Sequence, residues 1–185
     1  GVPPDKLKAK LGAFGLDPDS IRKRTREEVI EMHGRGESLA GAILSGVDLS
    51  ELDLSGIDLS GAQCRKTRFC GSNLAGADFS RTIALEADFS KARLKSMRAE
   101  KGIFSKAIFK HAELIQADLS SAVLQKADLD RADCSGARFY MTTLQQSRLT
   151  GAKFLGLNAD MCVFSEANAS DADFKDAVLH KCLFK

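Results

Sequence analysis

The sequence predicts an all-β solenoid with a helical cap at its N-terminal end. Two observations predict the solenoid: an apolar residue recurs at every fifth position from Leu39 to Phe184 without a slip, and a track of small residues runs two positions earlier. A third predicts the cap: residues 1–36 follow neither track.

The N-terminal segment reads as two helices. Pro3-Pro4-Asp5 opens a pattern with Leu7, Leu11 and Phe14 on one face, closed by Gly15. Asp17 then supplies an N-cap and Pro18 a first-turn proline, and Ile21, Val29 and Met32 form a thin apolar stripe up to Gly34. Arg22, Lys23, Arg24 and Arg26 precede Glu27, Glu28 and Glu31, an order that would oppose the helix dipole. The expected result is a helical hairpin over the open end of the solenoid, because an uncapped end would expose core. The expected domains are 1–36 for the cap and 37–185 for the repeats. Gly1 as first residue suggests that the natural chain begins earlier.

The five-residue track opens Leu39, Leu44, Leu49, Leu54, Leu59, Cys64, Phe69 and continues with Leu, Phe, Ala or Cys at every step to Phe184. Ala dominates the second track, from Ala42 to Ala177, with Thr67, Ser72, Thr82, Gly102, Thr142, Ser147, Cys162 and Cys182 among its other members. The remaining positions are mostly polar. Neither a helical nor a strand period fits this spacing. Two inward positions in five imply a short straight segment and a turn, with backbone groups pairing between stacked coils. Where the centre shrinks, the small track grows: Met97 precedes Ala99 and Leu157 precedes Ala159, as a filled interior requires. Ala84 with Thr82, and Ala169 with Ala167, lack that compensation and should be narrow or loose.

Ala-Asp-Leu-Ser-Ser at 117–121, Ala-Asp-Phe-Ser-Lys at 87–91 and Ala-Asp-Leu-Asp-Arg at 127–131 carry a family resemblance. The chain resembles the pentapeptide-repeat family, with its A-(D/N)-(L/F)-x-x pattern, from Glu37 to Lys185. That resemblance implies a right-handed quadrilateral β-helix, four units to a coil. The thirty units from Leu39 to Phe184 then make about seven coils and a rod roughly 35 Å long.

With four units per coil, residues twenty apart share a face. Three outward columns are polar with mixed signs, for example Asp48, Arg68, Asp88, Ile108, Asp128, Arg148, Asn168. The fourth is apolar: Ile43, Gln63, Ile83, Ile103, Val123, Thr143, Val163, Leu183, with Leu85 beside it. An exposed apolar stripe of this length marks a candidate partner surface, against the plainer reading of strand preference for branched residues. At the other end Phe164, Phe174, Leu179 and Phe184 should be partly exposed, an end that would suit truncation of a longer chain or a homodimer.

No catalytic, cofactor or metal chemistry is legible. His33, His111 and His180 have no ligand neighbours at useful spacing, and no phosphate-cradling glycine loop occurs. The carboxylate pairs Asp128/Asp130 and Asp171/Asp173 read as turn residues. Five cysteines, an odd number without zinc spacing, read as core thiols of a reducing compartment; this includes Cys162 and Cys182, which stack in adjacent coils. Lys91, Arg93, Lys95, Arg98, Lys101, Lys106 and Lys110 are interleaved with acids and read as a solvated surface. A net charge of +2 gives no reason to expect nucleic acid, and no run approaches a membrane span. With no signal peptide visible, the expected location is the bacterial cytoplasm.

The function expected is a non-catalytic interaction scaffold. Leu16-Asp17-Pro18, Arg24 to His33 and Gly36 to Gly41 resemble the junction before C-terminal pentapeptide repeats in accessory proteins of bacterial type VI secretion. That resemblance implies an adaptor that helps load effectors, with secretion-spike or effector proteins as partners. The alternatives are a gyrase-binding DNA mimic, which the mixed-sign columns disfavour, and an effector that recruits host proteins.

Overall fold

Each five-residue unit folds as a short extended edge closed by a tight corner. The carbonyl at an apolar centre accepts from the N–H three residues on, as Leu39 O does from Ala42 N at 3.0 Å. The third residue of that turn is left-handed at every corner, whether glycine, as at Gly41 (φ 70°), or not, as at Lys106 (φ 59°). A hydrogen-bonded turn with positive φ at its third residue has the type II pattern. Glycine meets that demand without strain, whereas the lysines and arginines at other corners adopt it with their side chains in solvent.

The computed structural model describes residues 22–184. Parallel bridges join residues twenty apart along all four edges, as in Ile43↔Gln63, Asp48↔Arg68, Asp53↔Asn73 and Asp58↔Asp78. Four units therefore complete one coil, and the fold is a quadrilateral β-helix with a helical cap. Backbone bonds run both ways between coils: Leu44 N donates to Gln63 O and Gln63 N to Ala42 O, each at 2.8 Å. The register never slips from Ile43 to Leu183, as the unbroken sequence period required.

The apolar centres fill the axis and are almost all fully buried. Phe69, Phe89 and Phe109 stack at 4.9 and 4.8 Å along one side, with Phe79 set edge-on. Met97 and Leu157 are fully buried beside Ala99 and Ala159, as expected from their volumes. At Ala84, expected to be narrow or loose, the interior is closed to solvent. Both Ala84 and Thr82 are fully buried, and Phe104, one coil on, reaches within 6.0 Å of Phe89 and 6.4 Å of Phe79 in the coil of Ala84. Ala169 and Ala167 lie on the last described coil, where Ala169 is exposed.

The buried polar members of the small track are satisfied, Ser147 by the Leu144 carbonyl of its own corner and the others across coils. Thr67, Thr82 and Thr142 donate to the carbonyls of Leu44, Leu59 and Leu119 at 2.6–2.8 Å. A buried hydroxyl without such a partner would be costly.

Among the described residues, one helix, α1, spans Arg26–Gly34. Its N-cap is Thr25, in a reciprocal capping box with Glu28. Val29 enters the core and Met32 packs against it. Arg26 donates to the carbonyls of Asp48 and Ser50, at 2.8 and 3.0 Å, tying the helix to the first coil. The expected second helix is therefore corrected. Arg22, Lys23 and Arg24 precede it, and Lys23 pairs with Ile43 as an extension of the ladder. Glu27 and Glu28 consequently stand in the first turn, where they favour the dipole. The expected first helix and the Asp17-Pro18 start lie outside the described residues.

Four corners depart from the pattern. After Leu49, Phe139, Ala159 and Leu179 the turn hydrogen bond is missing; after Leu49 the Leu52 N–H donates to the Ser72 hydroxyl instead, at 3.4 Å, and at the other three the edge extends to three residues. These edges are the strands β1 (Arg138–Tyr140), β2 (Asn158–Asp160) and β3 (Val178–His180), paired in parallel in that order.

Candidate protein-interaction face

On three of the four faces, Asp or Asn at the outward position before a centre often has a structural task. There Asp or Asn accepts from the N–H two residues on, as Asp53 does from Ser55 at 3.1 Å and Asn73 from Ala75 at 3.3 Å. Such local side-chain bonds favour turns. Cross-coil pairs add to them: Arg68 meets Asp48 at 2.8 Å and Arg98 meets Asp78 at 2.6 Å. These exposed pairs add little to stability.

These contacts set the carboxylates' acidity. The Ser38 hydroxyl and the Ser60 N–H hold Asp58 below its ordinary value, and the Ser55 N–H does the same for Asp53. In the cap, the Arg22 guanidinium holds Glu28 down at about 2.

The fourth face has no such caps. Bridges join Ile43, Gln63, Ile83, Ile103, Val123, Thr143, Val163 and Leu183 into one column. Ile83 and Ile103 are exposed, at 40% and 37%, and Leu183 is exposed too. Ile43, Leu85, Val123 and Val163 are half-buried. The structure thus brings together all of the stripe read from the sequence, with Ile83, Ile103 and Val123 at its centre.

Two contributors escaped the sequence reading. Met141 and Met161 occupy left-handed corner positions just before Thr143 and Val163, and both are exposed. They extend the apolar surface round the corner in the coils where the turn bond has opened, beside Tyr140 on the next face. Their signal was the placing of large apolar residues where other units carry glycine or a polar or charged residue.

At the far end the expectation holds in part. Phe184 is 56% exposed and Leu179 is also exposed, whereas Phe174 is half-buried. Phe164 is corrected to buried, at 4%, because the Phe184 ring stacks on it at 4.9 Å.

All five cysteines are free. Burial pushes the Cys64 thiol up to about 12 and Cys162 to about 11, which disfavours their thiolate forms. Among the described residues no cluster of His, Cys, Asp and Glu could hold a metal ion, and no helix is long and apolar enough to cross a membrane. His180 meets Asp160 at 2.8 Å as an exposed pair.

Nothing matches among the curated proteins. HetL, a pentapeptide repeat protein involved in heterocyst differentiation regulation in the cyanobacterium Nostoc sp. strain PCC 7120, is 28% identical, with a TM-score of 0.41 over 76% of this chain and 69% of its own. QnrB1, a plasmid-mediated fluoroquinolone resistance protein, is 22% identical, with a TM-score of 0.49 over 80% and 79%. Rfr23, from the cyanobacterium Cyanothece 51142, is 16% identical, with a TM-score of 0.40 over 86% and 99%. The family model for pentapeptide repeats matches residues 35–61, 62–96, 107–146, 117–156 and 147–185, and the chain belongs to the pentapeptide-repeat family.

Proposed function

We propose that this protein is a non-catalytic scaffold that holds a protein partner on its apolar face. The carrying observation is that face itself. Three sides of the rod use many of their outward positions for turn caps and cross-coil pairs, with Ile108 and Val178 as isolated apolar members, whereas the fourth leaves a largely branched aliphatic column in water. Exposing such a column is unfavourable unless something covers it. In the setting suggested by the junction at residues 16–41, the partner is a spike or effector protein of type VI secretion. The same reading gives the surface of Leu179 and Phe184 to a second copy of the chain, which sedimentation equilibrium of the native protein and a Phe184→Asp variant would test.

The experiment is capture from a bacterial lysate with the native chain and an Ile83→Lys/Ile103→Lys/Val123→Lys variant as baits. A partner bound by the native chain and lost from the variant supports the scaffold reading. Identical captures by both baits overturn the face. Gyrase is the partner under the second reading, a DNA mimic. Against it stand the polar columns, where Asp48 faces Arg68 and Asp78 faces Arg98, unlike the uniform negative charge of a duplex. Inhibition of gyrase supercoiling by the purified chain would establish that reading over the adaptor.

A further inference from the structure

We infer that the partner element seated on the apolar face is an amphipathic α-helix with acidic flanks, lying along the rod axis. The inference rests on the scaffold reading above and adds the shape and charge of what binds.

Spacing argues for a helix. The apolar side chains rise one coil at a time, about 4.8 Å per step. A helix repeats its apolar stripe every turn, about 5.4 Å. From Ile83 to Val123 the two differ by only about 1 Å over two steps. A strand presents same-face side chains about 6.8 Å apart and is out of step by about 4 Å over the same span. A helix laid along the face therefore keeps each anchor beside Ile83, Ile103 or Val123, and a strand does not.

Charge argues for acid. The column runs between two corners of the rod. Arg81 and Lys101 stand on the corner before it, Lys106 and Lys126 on the corner after it, and all four are exposed. Two carboxylates share these corners and their flanks, and both are occupied. Glu86 is held by Arg65 at 3.4 Å and Lys66 at 3.5 Å, and Glu100 by Lys101 at 2.9 Å. Arg81, Lys106 and Lys126 make no ion pair with any described residue. The rim thus presents unpaired cations on both sides of an apolar strip, which complements Glu or Asp on both flanks of an apolar helix stripe.

The test uses three labelled peptides of about 18 residues. The first is a helix former with Leu at i, i+4, i+7 and i+11 and Glu on both flanks; the second replaces Glu by Lys; the third carries the acids on a strand-forming alternating pattern. Fluorescence anisotropy against the native chain should show the acidic helix binding at least about tenfold more tightly than the other two. An Arg81→Glu/Lys106→Glu/Lys126→Glu variant should reverse the preference between the two helical peptides. Equal binding of those two peptides, tighter binding of the strand peptide, or no binding by any of them overturns the helix proposal. The scaffold reading falls separately, only if lysate capture is unchanged by the apolar-face variant.

Discussion

The Sγ of Cys162 lies 3.1 Å from the carbonyl oxygen of Phe139, one coil below. That carbonyl has lost its turn partner, because the Thr142 N–H makes no bond to it. The thiol takes the position that the Thr142 hydroxyl occupies against Leu119, where the distance is 2.8 Å. The small track thus does more than leave room, since most of its polar members also donate to the carbonyls of the corners one coil below.

Cys162→Ser should therefore keep the contact through a stronger donor, while Cys162→Ala removes this contact to the Phe139 carbonyl at a cost of about 1 kcal/mol. Urea unfolding of the three proteins checks this. An alanine variant as stable as the serine variant would show that the thiol contributes nothing.

The acids on the polar faces set a pH limit. Asp53 and Asp58 titrate below their ordinary 3.8 in the folded rod. Their contribution is fully present above that value and is lost as pH falls through 3.8 towards the lower folded values. Melting temperature should drop on acidification in that window. An Asp53→Asn/Asp58→Asn variant should flatten the drop, because an amide oxygen can still accept the cap bond, as Asn73 does. An unchanged slope in the variant would rule these two carboxylates out.

Register, core and the apolar column were legible because the period of five has no insertions, so one assignment at Leu39 places every residue as far as Phe184. The start of α1 was misread although its signature was present: Thr25-x-x-Glu28 is a capping box, but Asp17-Pro18 offered an earlier start. Lys23 could not be read as part of the ladder, since it joins through backbone groups that any residue carries. The open corners after Phe139, Ala159 and Leu179 depend on a backbone bond that their residue types do not announce, so the surface of Met141 and Met161 went unseen.

Gly102 departs from the alanines of its track for a reason visible in the packing. A Cβ there would lie 2.4 Å from Cε2 of Phe104 and 3.1 Å from the Ala99 carbonyl oxygen. Gly102→Ala should cost about 1–3 kcal/mol by overpacking. Phe104→Leu, which withdraws the ring, should recover part of that loss in the double variant. A double-mutant cycle in denaturant measures the coupling, and additive effects would show that the ring and the glycine are independent.

Ile103 and Phe104 are neighbours in sequence on opposite sides of one wall: Ile103 is exposed, whereas Phe104 is fully buried. Ile103→Lys removes no core contact and should change stability by less than about 0.5 kcal/mol. Phe104→Ala empties space between the rings of Phe79, Phe89 and Phe109 and should cost about 3–5 kcal/mol. Chemical denaturation of both variants, alongside partner capture, separates the two roles. Ile103→Lys should lose the partner and keep the fold. If it instead unfolds the rod as readily as Phe104→Ala, the column holds the wall together and is not a surface kept for a partner.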